Sequence, residues 1–162
     1  MKAQFRFTIG LLAIIILASI GTYFRIWDIH FLIGPFYLHH WVSIIGGSYL
    51  LVSTSFYAYF KRYSKVKKGT LLKIHVFGNL FAALLIFIHF AQHLGRPTEF
   101  APDYGTGLAT FLLLLVIVAA GIFLRFGIAS RKRESWHLIH VGFALSFFIL
   151  VIIHTLKNLG LL

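Results

Sequence analysis

Five long apolar segments, at 7–24, 40–59, 71–92, 106–126 and 136–156, constrain this chain more than any other feature. A helix of about 17–25 apolar residues crosses the hydrocarbon layer of a bilayer, and each segment reaches that length. With 59% hydrophobic and only 12% charged residues, the composition places the chain in a membrane. The expected fold is an all-α integral membrane protein, a bundle of five transmembrane helices forming a single domain over residues 1–162. Lys2 and Arg6 precede the first segment as basic residues precede a signal peptide. That apolar run is long and no small-residue cleavage site follows it, so it is read as helix one.

Basic residues set the expected orientation. Lys61, Arg62, Lys65, Lys67, Lys68 and Lys73 crowd one loop, and Arg125, Arg131, Lys132 and Arg133 crowd another. With Lys2 and Arg6, 12 of the 15 Lys and Arg residues fall on one side, which the positive-inside rule makes cytoplasmic. Arg25, Arg96 and Lys157 fall on the other side with Asp28, Glu99 and Asp103. The amino terminus is then inside and the carboxyl terminus outside, and helices three and five both run outward. A multi-pass protein of the plasma membrane, in a prokaryotic cell, is the expectation.

The formal net charge of +11 would suggest nucleic acid in a soluble protein. Here the basic loops are topology signals and partners for anionic membrane lipid, and no nucleic-acid partner is expected. Cysteine is absent, which excludes disulfides, iron–sulfur clusters, thiolate-ligated haem and covalent haem attachment from this chain.

Histidine spacing carries the chemistry. His75 and His89 lie 14 positions apart in the third segment, and His140 and His154 lie 14 apart in the fifth. At about 100° per residue, 14 steps return to within roughly 40° of the starting direction and rise roughly 21 Å. Each helix therefore carries two imidazoles on one face, one near each membrane side. If the two helices are parallel and face each other, His75 is level with His140 and His89 with His154. Two stacked pairs of nitrogen ligands result, the pattern of two non-covalent b-type haems, each with two axial histidines, held between helices three and five. The parallel sense inferred from charge is the one this pairing requires. Intramembrane ionisable residues are costly enough to be functional candidates in any case.

Other residues bear on the same site. His93 lies 18 positions after His75 and His137 three before His140, so a pairing of His75 with His137 and His93 with His154 is a geometric alternative. The first pairing keeps equal spacing and places all ligands within the hydrocarbon, whereas His93 and His137 fall at interfaces beside Gln92 and Trp136. His30, His39, His40 and His93 gather at the outer end, where such a group would bind a metal, contact haem propionates, relay protons or simply cap helices. Lys73, Arg125 and Arg131 are inner candidates for propionate pairing, and topology explains them equally well. Gly78, Ala82 and Ala83 on helix three, with Gly142, Ala144 and Ser146 on helix five, leave room for a flat macrocycle or for close helix packing. Gly46, Gly47 and Gly121 carry the same two readings, and Phe77, Phe81, Phe87, Phe143, Phe147 and Phe148 read as porphyrin-lining, core or lipid-facing.

The stretch Ile74-His75-Val76-Phe77-Gly78 through Ile88-His89, then Trp136-His137-Leu138-Ile139-His140 through Ile153-His154, resembles the ferric reductase-like transmembrane domain. That family includes the membrane parts of ferric reductases, NADPH oxidases and the bacterial haem subunit of methionine sulfoxide reductase. The resemblance covers about residues 71–157. It implies that His75, His140, His89 and His154 are axial ligands and that electrons cross the membrane from haem to haem. Cytochrome b561 is a looser match, with its haem-binding helices arranged differently. The oxidases and eukaryotic reductases continue inside into a flavin and nicotinamide domain, whereas this chain stops outside at Leu162 and carries no glycine-rich dinucleotide fingerprint. The expected donor is therefore a membrane quinol or a separate redox subunit.

Two histidines per iron leave no open coordination position, which favours electron transfer over inner-sphere chemistry and assigns no catalytic residue. The leading expectation is a dihaem cytochrome b, an electron-transfer subunit of a larger redox complex without its own flavin or nicotinamide site. The alternatives are a haem-free histidine-lined proton or metal-ion transporter and a structural membrane subunit. A transporter predicts acidic partners beside the histidines, yet Asp28, Glu99, Asp103 and Glu134 all lie in loops.

Overall fold

A computed structural model describes residues 2–95, 105–128 and 130–162 of the chain. Five α-helices carry the fold: α1 (Lys2–Tyr23), α2 (Leu38–Tyr63), α3 (Lys68–Leu94), α4 (Gly105–Phe126) and α5 (Arg133–Asn158). Each runs past the apolar segment that marks it at one or both ends. Pro35 lies between α1 and α2, so none of the described helices loses an internal hydrogen bond to a ring nitrogen.

Four of the five, α1, α3, α4 and α5, are long and apolar enough to cross a membrane. At 26 residues α2 is also long enough, but Ser43, Ser48, Ser53, Thr54 and Ser55 make it more polar than the others. Its hydroxyls bond back to the helix, Ser43 to the His40 carbonyl at 2.8 Å and Ser55 to the Leu51 carbonyl at 2.9 Å. Such back-bonding keeps a polar side chain satisfied without a partner helix. Large apolar residues such as Leu17, Ile45, Leu138 and Leu145 are exposed along the helices, a surface suited to lipid rather than water.

The chain forms two compact units, Lys2–Pro102 and Asp103–Leu162. In the first, α3 is central, with α1 on one side and α2 on the other. Phe7 of α1 meets Phe77 of α3 edge to face at 5.0 Å, and the last turn of α1 lies at Gly95, so α1 and α3 run parallel. Ile15, Leu50, Leu80, Ala82, Ala83 and Leu84 form the core of this unit. The alanines and Gly46 let the backbones approach: a Cβ on Gly46 would lie 2.8 Å from the Ala82 carbonyl oxygen. That is the small-residue packing expected where lipid removes the hydrophobic drive between helices.

Between α1 and α2 the chain makes a short antiparallel hairpin, β1 (Leu32–Ile33) and β2 (Phe36–Tyr37), pairing Leu32 with Tyr37 and Ile33 with Phe36. Its loop is Gly34-Pro35, and Gly34 adopts φ 61°, which a two-residue hairpin loop with glycine first requires. The Trp41 indole N–H donates to the Ile33 carbonyl at 2.8 Å and ties the hairpin to the first turn of α2.

The second unit is the α4–α5 pair, joined through a 3-10 turn at Ser130–Lys132. Gly127, at φ 67°, ends α4, and Ile128 N–H donates to the Phe123 carbonyl at 3.2 Å, closing the helix. Leu114, Ala120 and Phe147 are its buried apolar residues, and Phe123 meets Trp136 edge to face at 4.7 Å.

Candidate functional site

In the second unit, His140 and His154 of α5 rest on α4 glycines. A Cβ on Gly121 would lie 3.2 Å from the His140 Cε1, and one on Gly107 the same 3.2 Å from the His154 Cε1. Gly107 and Gly121 are themselves 14 residues apart, so two antiparallel helices bring two glycines under two imidazoles. Glycine inside a helix costs about 1 kcal/mol relative to alanine, and here it admits a ring against the backbone. The His140 Nδ1–H donates to the Ile117 carbonyl at 3.0 Å. Ile117 is four residues before Gly121, so its carbonyl lies where the missing side chain leaves the helix open. His154 Nδ1 meets the Thr106 hydroxyl at 3.0 Å, and the Asn158 amide lies beside the same ring.

In the first unit, His89 Nδ1–H donates to the His39 carbonyl on α2 at 3.0 Å. A neutral imidazole that donates from Nδ1 keeps its lone pair on Nε2. His89 and His140 are therefore fixed in the tautomer and orientation of a metal-ligating histidine whose second nitrogen is anchored to a carbonyl. His75 is held differently. Its Nδ1 faces the Asn79 amide at 3.2 Å, Asn79 accepts from Ser53 Oγ, and Tyr57 stacks on the ring at 4.3 Å with planes 20° apart.

The structure separates the two readings of the small residues in part. Gly78 does not leave an open slot, because the Tyr49 hydroxyl end lies over it, and Gly46, Ala82 and Ala83 serve helix packing. Gly47 and Gly142 have no heavy atom within 4 Å of a Cβ placed on them, and Ser146, one turn beyond Gly142, is exposed. Among the phenylalanines, Phe77 packs on α1, Phe147 is buried beside Phe148, and Phe81 and Phe143 are exposed.

At the hairpin end of the first unit, His39 and His40 open α2 and His93 closes α3, beside His89. All six ring pairs among these four histidines have centroids 4.2 to 5.9 Å apart. His39 is wholly buried. The nitrogens of His39, His40 and His93 lie within 4.8 Å of one another, a set able to hold a metal ion. His30 is exposed but stacks on Tyr37 at 4.1 Å, and its backbone N–H donates to Asp28 Oδ1 at 2.8 Å. His137 is exposed on α5, and Arg125 is half-buried in the last turn of α4. Arg96, Glu99 and Asp103 lie outside the described residues.

Sequence reasoning singled out Gly121 without pairing it to His140, and it missed Gly107 and the groups that hold the Nδ1 atoms. The equal 14-residue spacing of Gly107 and Gly121 was the available signal. Fold and composition define a multi-pass membrane protein with histidines set against neighbouring helices. Comparison of the chain with protein-family models, with curated proteins and with solved structures returns no match.

Proposed function

We propose that the chain is a dihaem b-type cytochrome in which α2 is a fifth membrane-spanning helix. His75 and His140 are the axial ligands of one haem and His89 and His154 those of the other, the pairing that sequence spacing predicts. The observation that carries this reading is the way the ligand nitrogens are held. His89 and His140 each donate Nδ1–H to a carbonyl of a neighbouring helix, and His154 Nδ1 lies against a hydroxyl able to accept. Half-buried imidazoles held in this way present Nε2 as the ligand atom, and rings fixed before binding lose little freedom on ligation.

A bis-histidine haem supplies one-electron transfer without an open position for substrate. The surrounding residues support the ligands: Ile117, Thr106 and the His39 backbone orient the imidazoles, and the apolar helices keep water from them. The resemblance to the ferric reductase-like transmembrane domain supports the same reading. In this reading electrons enter from a membrane quinol or a separate reductase subunit, at the plasma membrane.

A reduced-minus-oxidised visible spectrum of the purified chain, with pyridine haemochrome quantitation, tests the proposal. About two b-type haems per chain are expected from four axial histidines. No haem after expression with adequate haem supply would overturn it and turn attention to a histidine-lined ion transporter.

A further inference from the structure

His39, His40 and His93 form a second constellation that electron transfer through His75, His89, His140 and His154 does not use. We infer that these three imidazoles hold one divalent transition-metal ion of the zinc class, clamping the first turn of α2 to the last turn of α3. The inference does not rest on the haem reading, because none of the three is an axial ligand in it.

The geometry of the rings is the first support. Centroids are 4.2 Å apart for His39 and His40, 5.3 Å for His39 and His93, and 5.9 Å for His40 and His93. The interplanar angles are 43°, 83° and 51°, so the rings converge at an angle instead of stacking as an aromatic ladder. One nitrogen from each lies within 4.8 Å of the other two. Zinc–nitrogen bonds of about 2.0–2.1 Å in a tetrahedron put ligand nitrogens about 3.3 Å apart. Small rotations about the side-chain torsions of three rings cover that difference without moving the helices.

The chemistry of the donors is the second support. A neutral imidazole keeps one lone pair, and three rings this close cannot all carry charge without mutual repulsion. Lone pairs gathered at one point are a cation site. With imidazole nitrogen alone, and no cysteine in the chain, the donors suit zinc, copper(II) or nickel(II), not calcium or magnesium, which take oxygen ligands.

The third support is how the ligand-bearing backbone is held. The His39 carbonyl accepts from His89 Nδ1–H at 3.0 Å, and Trp41 bonds to Ile33 of the hairpin at 2.8 Å. His30 stacks on His39 from outside, with centroids 5.5 Å apart and planes at 18°. His39 is buried while His40 and His93 are half-buried, so the site opens to one side, as it does where three protein ligands share zinc with water.

The full chain, purified without a polyhistidine tag and stripped with chelator, is dialysed against zinc chloride. Zinc by mass spectrometry and haem by pyridine haemochrome are then read on the same samples. One zinc per chain is expected, with zinc affinity at least tenfold weaker in His39→Ala, His40→Ala and His93→Ala and unchanged in His30→Ala. Haem content is read separately, so loss of haem with zinc retained bears only on the cytochrome proposal. Failure of the wild-type chain to bind stoichiometric zinc overturns the inference, as does wild-type affinity in His40→Ala or His93→Ala. Equal loss of zinc in His30→Ala overturns the three-ligand assignment. Should His39→Ala fail to fold, the two half-buried positions at the helix ends decide.

Discussion

Replacing single glycines on α4 and α5 by alanine separates the imidazole contact from ordinary helix propensity. Alanine in place of a mid-helix glycine gains about 1 kcal/mol. At Gly142, where a Cβ meets no heavy atom within 4 Å, that gain is retained whole. At Gly121 the new carbon lies 3.2 Å from His140 Cε1 and 3.5 Å from Nδ1. Relaxed carbon contacts are about 3.5–4.0 Å, so the ring must retreat by about half an ångström. The Nδ1–H bond to Ile117, now 3.0 Å, is then stretched toward the limit of a hydrogen bond. Most of its net worth, about 1 kcal/mol, is lost. Gly121→Ala should therefore be close to neutral while Gly142→Ala stabilises, a difference of about 1 kcal/mol between two identical substitutions. Unfolding titrations in mixed detergent micelles followed by circular dichroism measure it. If Gly121→Ala stabilises as much as Gly142→Ala, the glycine does not accommodate the imidazole and the contact has no energetic weight.

His75→Ala and His89→Ala should each lower haem content from about two per chain to about one, since either iron keeps a single ligand. Pyridine haemochrome assay reads the content, and redox titration shows whether different haems are lost. Gly46→Ala places a carbon 2.8 Å from the Ala82 carbonyl oxygen, and forcing α2 away from α3 should destabilise the chain by about 1–3 kcal/mol, read by the same unfolding titration. Thr106→Val removes the hydroxyl beside His154 Nδ1 and should cost about 1 kcal/mol, with Thr106→Ser restoring it; equal stability of the two variants would show that the hydroxyl does not hold the ring.

The helices are legible in the sequence because their signal is collective: about twenty apolar residues in a row outweigh any local preference. The gathering of His39, His40 and His93 is legible too, once charge places the ends of segments two and three on one side. The polar character of α2 is harder to see, because its length and its leucines and isoleucines hide five serine and threonine residues spread along it. What holds His89 and His140 cannot be read at all. The partners of His89 and His140 are backbone carbonyls, which every residue has, so no residue type announces them. Gly78 shows a related limit: a glycine reads as open space or as close packing, and here Tyr49, 29 positions earlier, packs on it.

The paired glycines of α4 also act as a two-notch ruler. Shifting α5 along α4 by one residue moves each ring about 1.5 Å and turns it by about 100°, and it does so at both notches together. One deletion between Gly107 and Gly121 would leave either notch aligned and throw the other out of phase. An insertion or deletion within either helix would thus break the match, and the interval between the two histidines is held by a second helix that carries no histidine of its own.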